Sequence, residues 1–268
     1  MDDDFALGTL LLFAGTFVPK GYLACNGQAV NISSNSTLWQ LIGTAFGGDG
    51  TTTFALPNLP PVAAGNGVQL NWAMCVDGAW PDNGVYAITG QVRPFPFPVL
   101  ASTTLADSWL PCDGRTLPIN NANEVLFFLL GNTYGGDGTT TFALPNLAPL
   151  VPAAGTNIPW YICVNGIFPN NTCSTANPGL GLGPYDFLLA SVCHFAIAPA
   201  TVKKLCDFAD CNGQKLTLVN SPWDALYSLL GTTYGPIANN EFALPTIPTG
   251  SNPITPLLCI NGLYPERS

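Results

Sequence analysis

Two short loops and nine cysteines are the parts of this 268-residue sequence whose types and spacing could do chemistry. The tetrapeptide Gly-Gly-Asp-Gly occurs at residues 47–50 and again at residues 135–138. A phosphate-binding loop needs a Lys after its glycines, but Thr51 and Thr139 follow these two. A Ca²⁺ site needs several carboxylates, whereas each loop has a single Asp. We therefore expect a turn in which the Asp side chain caps its own backbone.

The other chemical groups do not combine into a catalytic or metal site either. The chain has one histidine, His194, in an apolar strand-like run, and no two cysteines have the CxxC spacing of a zinc or redox site. A Ser-His-Asp triad is not supported, and no carboxylate pair recurs at equivalent positions. We expect His194 to be packed or to lie at an interface. We expect no enzyme activity, no cofactor and no metal.

The composition points to a protein that contacts other copies of itself. Only 9% of the residues are charged, the net charge is −9, and the seven basic residues are scattered, which disfavours nucleic-acid binding. The apolar run at residues 5–18 is too short for a membrane-spanning helix, and residues 1–8 do not resemble a signal peptide. A surface so poor in charge favours burial against further copies. The alternative is a compact, Thr/Asn-rich surface.

The elements that position these groups occur three times along the chain. Each copy has an apolar strand-like run, a tight turn with a Cys, a short amphipathic helix and a Thr/Phe-rich strand stopped by Pro. The pattern predicts a mainly β fold with short helices, in three tandem modules. The predicted boundaries are residues 1–84 for module 1, 85–172 for module 2 and 173–268 for module 3, with a linker at about 170–184. Helices are predicted to begin near Ser33, Asn121 and Ser221 and to end at Gly43, Gly131 and Gly231.

Six of the cysteines occupy equivalent positions, two in each module, which predicts one disulfide per module. A closed loop of this size would stabilise each module by about 4 kcal/mol in the chain-entropy model. The alternative is that they are buried free thiols. The disulfides would place the protein in an oxidising compartment. The predicted pairs are Cys25–Cys75, Cys112–Cys163 and Cys211–Cys259, with Cys193–Cys206 as a further pair and Cys173 bonded to a neighbouring subunit, or Cys173 paired with one of those two.

The segment from Phe13 to Leu59 resembles the phage tail collar domain, which also occurs in microcystin-dependent proteins. It reads FAGTFVPKGYLACNGQAV, then LIGTAFGGDG at the end of the helix, then TTTFALPNL. A second copy extends from Cys112 to Leu147, and a third keeps parts of the pattern between Cys211 and Pro245. The resemblance implies a structural fibre or tail module that assembles into oligomers outside the cell or on a virion, without enzyme activity. The chain departs from the family after each Leu-Pro, where LPPVAAG and APLVPAAG replace an L-R-G-R-type segment.

These observations predict a structural subunit of a self-assembling extracellular filament or fibre. The alternative is a phage-tail-like adhesin that binds cell-surface glycans. The apolar N-terminal run is predicted to insert into an open sheet edge of the next subunit. Three equivalent aromatic residues after the second Cys turn are predicted to fill a pocket of a neighbour, although they could also bind sugars. The predicted intersubunit residues are Cys173, Phe5, Leu10, Leu11, Leu12, Phe13, Trp80, Phe168 and Tyr264.

Overall fold

The computed structural model describes residues 6–81, 87–97, 107–166, 168, 187–196, 208–219, 222–248 and 254–267. Phe5, Cys173, Cys206 and the whole of the linker predicted at about 170–184 lie outside the described residues. The described residues form a mainly β fold with three short α-helices, as predicted. The module boundaries stay predictions, and the names of the modules are kept for reference.

Modules 2 and 3 contribute the same order of six elements, and module 1 adds a 3₁₀ helix and two strands to that order. Module 1 has β1 (Leu10–Phe13), β2 (Tyr22–Ala24), β3 (Ala29–Asn31), a 3₁₀ helix (Ile32–Ser34), α1 (Ser36–Ile42), β4 (Thr53–Ala55), β5 (Val62–Ala63), β6 (Gln69–Leu70) and β7 (Trp72–Cys75). Module 2 has β8 (Gln91–Pro94), β9 (Trp109–Pro111), β10 (Thr116–Pro118), α2 (Glu124–Leu130), β11 (Thr141–Ala143) and β12 (Trp160–Cys163). Module 3 has β13 (Ser191–Phe195), β14 (Phe208–Asp210), β15 (Lys215–Thr217), α3 (Asp224–Leu230), β16 (Glu241–Ala243) and β17 (Thr255–Cys259).

The helices end where the sequence predicts and begin about one turn later than predicted. Gly43, Gly131 and Gly231 follow the last helical residues with φ values of 53°, 58° and 52°, a backbone region that Gly adopts without strain. The residues that precede the helices make no side-chain capping hydrogen bond. The predicted start at Ser33 instead lies in the 3₁₀ helix. Local turn chemistry therefore fixed the helix ends more firmly than the helix starts.

Backbone hydrogen bonds repeat from module to module, including module 3. The turn after each helix–strand unit is closed by an N–H that donates to the C=O of the first Cys, at 2.9 Å in all three modules. The donors are Leu59, Leu147 and Ile247, and the acceptors are Cys25, Cys112 and Cys211. Module 3 thus keeps the structure of the repeat although its sequence has diverged.

One nine-stranded sheet joins the three modules, and β1, β8 and β13 are its central strands. Strand β13 pairs antiparallel with β1 through Leu12↔Val192 and with β8 through His194↔Val92. Gly8, Gly90 and Ala190 occupy equivalent positions in the three modules. Their N–H groups donate to the C=O groups of Cys75, Cys163 and Cys259. In both pairings, the fourth residue after this position in one strand lies opposite the second residue after it in the other strand. The same register at two joints is the arrangement expected for three copies around an approximate threefold axis.

The third joint, between β8 and β1, lacks the hydrogen bond that closes the other two. The N–H of Ala14 donates to the C=O of Ala190, and the N–H of Ala196 donates to the C=O of Gly90, both at 2.9 Å. The equivalent donor in module 2 would be Pro96, which has no N–H. The central strands are therefore hydrogen-bonded at two joints, and the equivalent bond cannot form at the third.

The segments in which the chain departs from the collar pattern lie against the neighbouring module. The N–H of Thr246 in module 3 donates to Ala64 of module 1 at 2.9 Å, and the N–H of Ala153 in module 2 donates to Asn58 of module 1 at 2.8 Å. A Cβ added to Gly155 would lie 2.3 Å from the C=O oxygen of Ala45, so only Gly fits there. These Ala-Ala-Gly segments therefore join modules.

The predicted disulfide within each module is wrong. The N–H of Cys25 bonds to Trp72 on the facing strand, whereas Cys75 lies three residues further along that strand. Three strand residues span about 10 Å, beyond the roughly 7 Å that a disulfide tolerates between Cα atoms. An odd offset also directs the two side chains to opposite faces of the sheet. The same offset separates Cys112 from Cys163 and Cys211 from Cys259, and all six cysteines are buried and outside any disulfide.

Burial explains why these thiols remain inert. It raises the pKa of Cys25, Cys75 and Cys163 to about 12, so the reactive thiolate is scarcely populated at neutral pH. The alternative interpretation, in which the cysteines are core residues, therefore describes the fold. The argument for an oxidising compartment that depended on these three bonds no longer holds.

Candidate functional site: the junction of the three modules

A cavity of about 70 Å³ lies where the three central strands meet. The residues that directly follow Gly8, Gly90 and Ala190 line the cavity, and all three are polar. Their exposed fractions are 9% for Thr9, 1% for Gln91 and 3% for Ser191. The sheet places these residues together because its register aligns the three modules. We call this space the junction cavity.

Arg93 gives the junction cavity a positive charge. It is equivalent to Leu11 and Cys193, so the three modules place three different side chains at this position. Its Nη2 atom donates to Oε1 of Gln91 at 3.3 Å, and its Cζ atom lies 5.8 Å from the ring centroid of Trp109. The ion pairs of the described residues do not include Arg93. Burial lowers its pKa below the usual value, although the guanidinium stays charged at neutral pH.

His194 is packed among aromatic rings, as predicted. Its ring stacks on Trp72 at a centroid distance of 6.4 Å and meets Trp160 edge-on at 5.3 Å. Burial lowers the pKa of His194 to about 4, so the imidazole is neutral at pH 7. It therefore adds no second positive charge to the junction.

The Gly-Gly-Asp-Gly loops are capped turns, as predicted. Oδ1 of Asp49 accepts hydrogen bonds from the backbone N–H groups of residues 51–53 at 2.7–2.9 Å, and Asp137 does the same for residues 139–141. The hydroxyl of Thr52, followed by these N–H groups, holds the pKa of Asp49 well below its usual range. Each carboxylate is therefore occupied by its own loop. Module 3 makes a different turn here, with two successive residues, Asn239 and Asn240, at positive φ.

Four residues that were predicted to contact another subunit lie inside the sheet of their own chain. Leu10, Leu11, Leu12 and Phe13 form β1, which pairs with β7 on one side and with β13 on the other. Leu12 is 1% exposed, and only Leu11 among the four is more than slightly accessible. Insertion of this run into a neighbouring subunit would require it to leave the centre of the sheet. Contacts with other subunits must therefore be sought elsewhere.

The three equivalent aromatic residues are exposed, but the structure does not bring them together. Trp80, Phe168 and Tyr264 have exposed fractions of 41%, 42% and 54%. The ring of Phe168 packs beside Phe128 of its own module at 6.0 Å, and the Tyr264 hydroxyl lies 2.9 Å from the hydroxyl of Ser228. Phe128 and Ser228 occupy the same position on α2 and α3. Each aromatic residue of modules 2 and 3 thus covers part of its own helix.

Of the three modules, module 2 exposes the most apolar side chains on and beside its helix. Val125 is 47% exposed and Phe128 is 72% exposed, and Phe168 lies next to Phe128. We call these three residues the module 2 patch. The positions equivalent to Phe128 are Gln40 in module 1 and Ser228 in module 3, so the patch occurs once per chain.

The described residues contain no group of three or more His, Cys, Asp or Glu side chains that could hold a metal ion. Among the same residues, the helices are too short to cross a membrane. The sequence analysis did not identify Gln91, Arg93 or Ser191 as site residues. A signal was present, because Arg93 is a single basic residue within an otherwise uncharged run. That signal alone does not reveal the residues from other modules that complete the cavity.

Comparison with known proteins supports the resemblance in two of the three modules. The family model described as phage tail collar domain matches residues 8–61 and 90–152. The third copy remains a prediction on sequence grounds, although module 3 repeats the hydrogen bonds of the others. Neither the curated proteins nor the solved structures gave a significant match. The match suggests a structural or fibre-like role in a phage tail, and a virion-associated or extracellular location. Two segments of the chain, one in module 1 and one in module 2, therefore match the phage tail collar domain.

Proposed function

We propose that this protein is a non-catalytic structural subunit of a self-assembling extracellular filament or fibre. The observation that carries the proposal is the shared sheet, in which three modules of one chain surround a common junction. Such a unit has two different ends along its approximate axis. Contacts between unlike surfaces are heterologous, and they extend into filaments when the rotation does not close.

The module 2 patch is the surface that we propose for a contact between subunits. An exposed aromatic and aliphatic cluster is a common centre for protein contacts. Because modules 1 and 3 have Gln40 and Ser228 in place of Phe128, each chain offers one such surface. A single apolar surface per chain favours a directional contact with a second copy. The bond of Cys173 to a neighbouring subunit stays a prediction.

Negative-stain electron microscopy of the purified protein tests the proposal. We expect filaments of uniform width and variable length, with and without reductant, because the predicted cysteine pairs within the modules form no disulfide. The variant Phe128→Ser, which copies the residue of module 3, should shorten or abolish the filaments while the melting temperature stays close to that of the wild type. Val219→Ser is the matched control, because Val219 is an exposed aliphatic residue outside the patch.

The adhesin alternative predicts a different result in the same experiment. Discrete particles of fixed size, together with retention on glycan arrays, would replace the filament proposal by a glycan-binding role. In that case Trp80 and Tyr264, as exposed aromatic residues, are the first positions to substitute. Filaments without glycan retention would exclude the adhesin.

A further inference from the structure

Gln91 presents a hydrogen-bond donor to the junction cavity for which the described residues provide no acceptor. Its Oε1 atom accepts bonds from the N–H of Ile88 and from Arg93, each at 3.3 Å. Both partners are donors, so the orientation of the amide is fixed and its NH₂ group remains. Gln91 is only 1% exposed, and a buried donor without a partner destabilises a fold.

Arg93 adds further donors and a net charge to the same cavity. A guanidinium carries five N–H donors, and among the described residues its hydrogen-bond acceptor is Gln91. The other titratable groups at the cavity do not supply a counter-charge. Burial raises the pKa of Cys193 to about 11 and places that of Tyr22 well above its usual value, so both are neutral at pH 7. Since a cation in a pocket without a counter-charge is unfavourable, the cavity is suited to an anion.

We propose that the junction cavity binds a small monocarboxylate, which accepts hydrogen bonds from the guanidinium of Arg93 and the amide of Gln91. The planar fork of an arginine matches the two oxygens of a carboxylate. The hydroxyl of Ser191, which lies 3.9 Å from the Cys193 thiol, is a third polar group at the cavity. One positive charge matches one negative charge, and a volume of about 70 Å³ limits the ligand to a few non-hydrogen atoms. Leu11 and Val192 provide apolar walls for a short alkyl group.

The proposed ligand is a free small molecule. The proposal is independent of filament formation, because it concerns three central strands within one chain.

Thermal unfolding in sodium acetate, against sodium chloride at the same ionic strength, tests the site. For a free ligand we expect a saturable rise of the melting temperature with acetate and none with chloride. Arg93→Leu, which copies Leu11 of module 1, should weaken acetate binding by at least about tenfold, because it removes a charged hydrogen-bond donor. Arg115→Leu is the matched control, since Arg115 is an exposed arginine that pairs with Asp113. It should leave acetate binding unchanged.

A second variant keeps the test decisive. Cys193→Leu fills the cavity with the residue of module 1 and leaves Arg93 in place, so it should also abolish the acetate effect, and it serves if Arg93→Leu does not fold. The proposal is overturned if the wild type does not respond more to acetate than to chloride, or if Arg93→Leu and Cys193→Leu respond as the wild type does.

Discussion

The outer and central parts of the three modules differ in how closely they repeat. In the outer part, Phe54, Phe142 and Phe242 occupy one position, and each is fully buried beside an aromatic residue of its own helix. In the central part, one position is Leu11, Arg93 or Cys193, and the next is Leu12, Pro94 or His194. Three identical chains would place three identical residues around the axis. A single chain can place one cation there, without the repulsion that three would bring.

The largest expected effect concerns the repeated outer core. Replacement of Phe54, Phe142 or Phe242 by Ala should each lower the free energy of unfolding by about 3–5 kcal/mol, because each change leaves a cavity. The three losses should be similar, because the three rings occupy equivalent positions. Urea unfolding at pH 7 measures them. A clearly smaller loss for Phe242→Ala would show that module 3 is not an equivalent part of the core.

The second expected effect concerns the central residue His194. Because its folded pKa of about 4 lies below the unfolded value, the unfolded chain binds more protons between these two values. The contribution of His194 to the free energy of unfolding is complete above about pH 6.5 and falls by about 3 kcal/mol as the pH decreases to 4. His194→Leu, which copies Leu12, should remove this part of the pH dependence. Urea unfolding of both proteins from pH 4 to 7 measures the difference, and parallel curves would contradict it.

A third, smaller effect concerns the loops that only modules 1 and 2 share. A Cβ at Gly48 would lie 2.4 Å from Cα of Phe54, and one at Gly136 would lie 2.5 Å from Cα of Phe142. Gly48→Ala and Gly136→Ala should each destabilise the protein by about 1–3 kcal/mol. Gly67→Ala is the control, because Gly67 also has positive φ but has no neighbour within 4 Å. Equal effects at all three positions would mean that backbone strain, and not the collision, is responsible.

The smallest expected effect is a stabilisation in module 3. Ala190 has a φ of 68°, and the equivalent residues Gly8 and Gly90 have 76° and 85°. Because Ala190 is the one of the three that has a Cβ, its backbone is strained. Ala190→Gly should raise the free energy of unfolding by up to about 1 kcal/mol. Ala196→Gly, at a buried Ala with ordinary φ, should lower it. A loss of stability in both variants would contradict the strain.

The repeated parts of the fold could be predicted because their signals are local. Gly43, Gly131 and Gly231 end the helices by their own conformational freedom, and the loop aspartates cap N–H groups only two to four residues away. These features depend on near neighbours in the sequence. Repetition strengthened them, because the same signal appeared more than once.

The junction could not be predicted, because it depends on register between distant segments. Leu12 meets Val192, and His194 meets Val92, only after the sheet has formed. The same limit explains the wrong prediction of the disulfides. Cys25 and Cys75 have counterparts in every module, but the two positions are offset by three residues along the paired strands. The apolar run at β1 was predicted to reach another subunit because its own partners, β7 and β13, are not visible in the sequence.

The pairing of β13 with both β1 and β17 has a mechanical consequence. Strands β1 and β17 both run antiparallel to β13, so they point in the same direction. Tension that enters the chain before Leu10 and leaves after Cys259 would pull them in opposite directions along their lengths. The hydrogen bonds of both pairs would then be loaded together in shear, not broken one after another from an end. A subunit with this geometry would resist stretching along the path that joins its first and last strands.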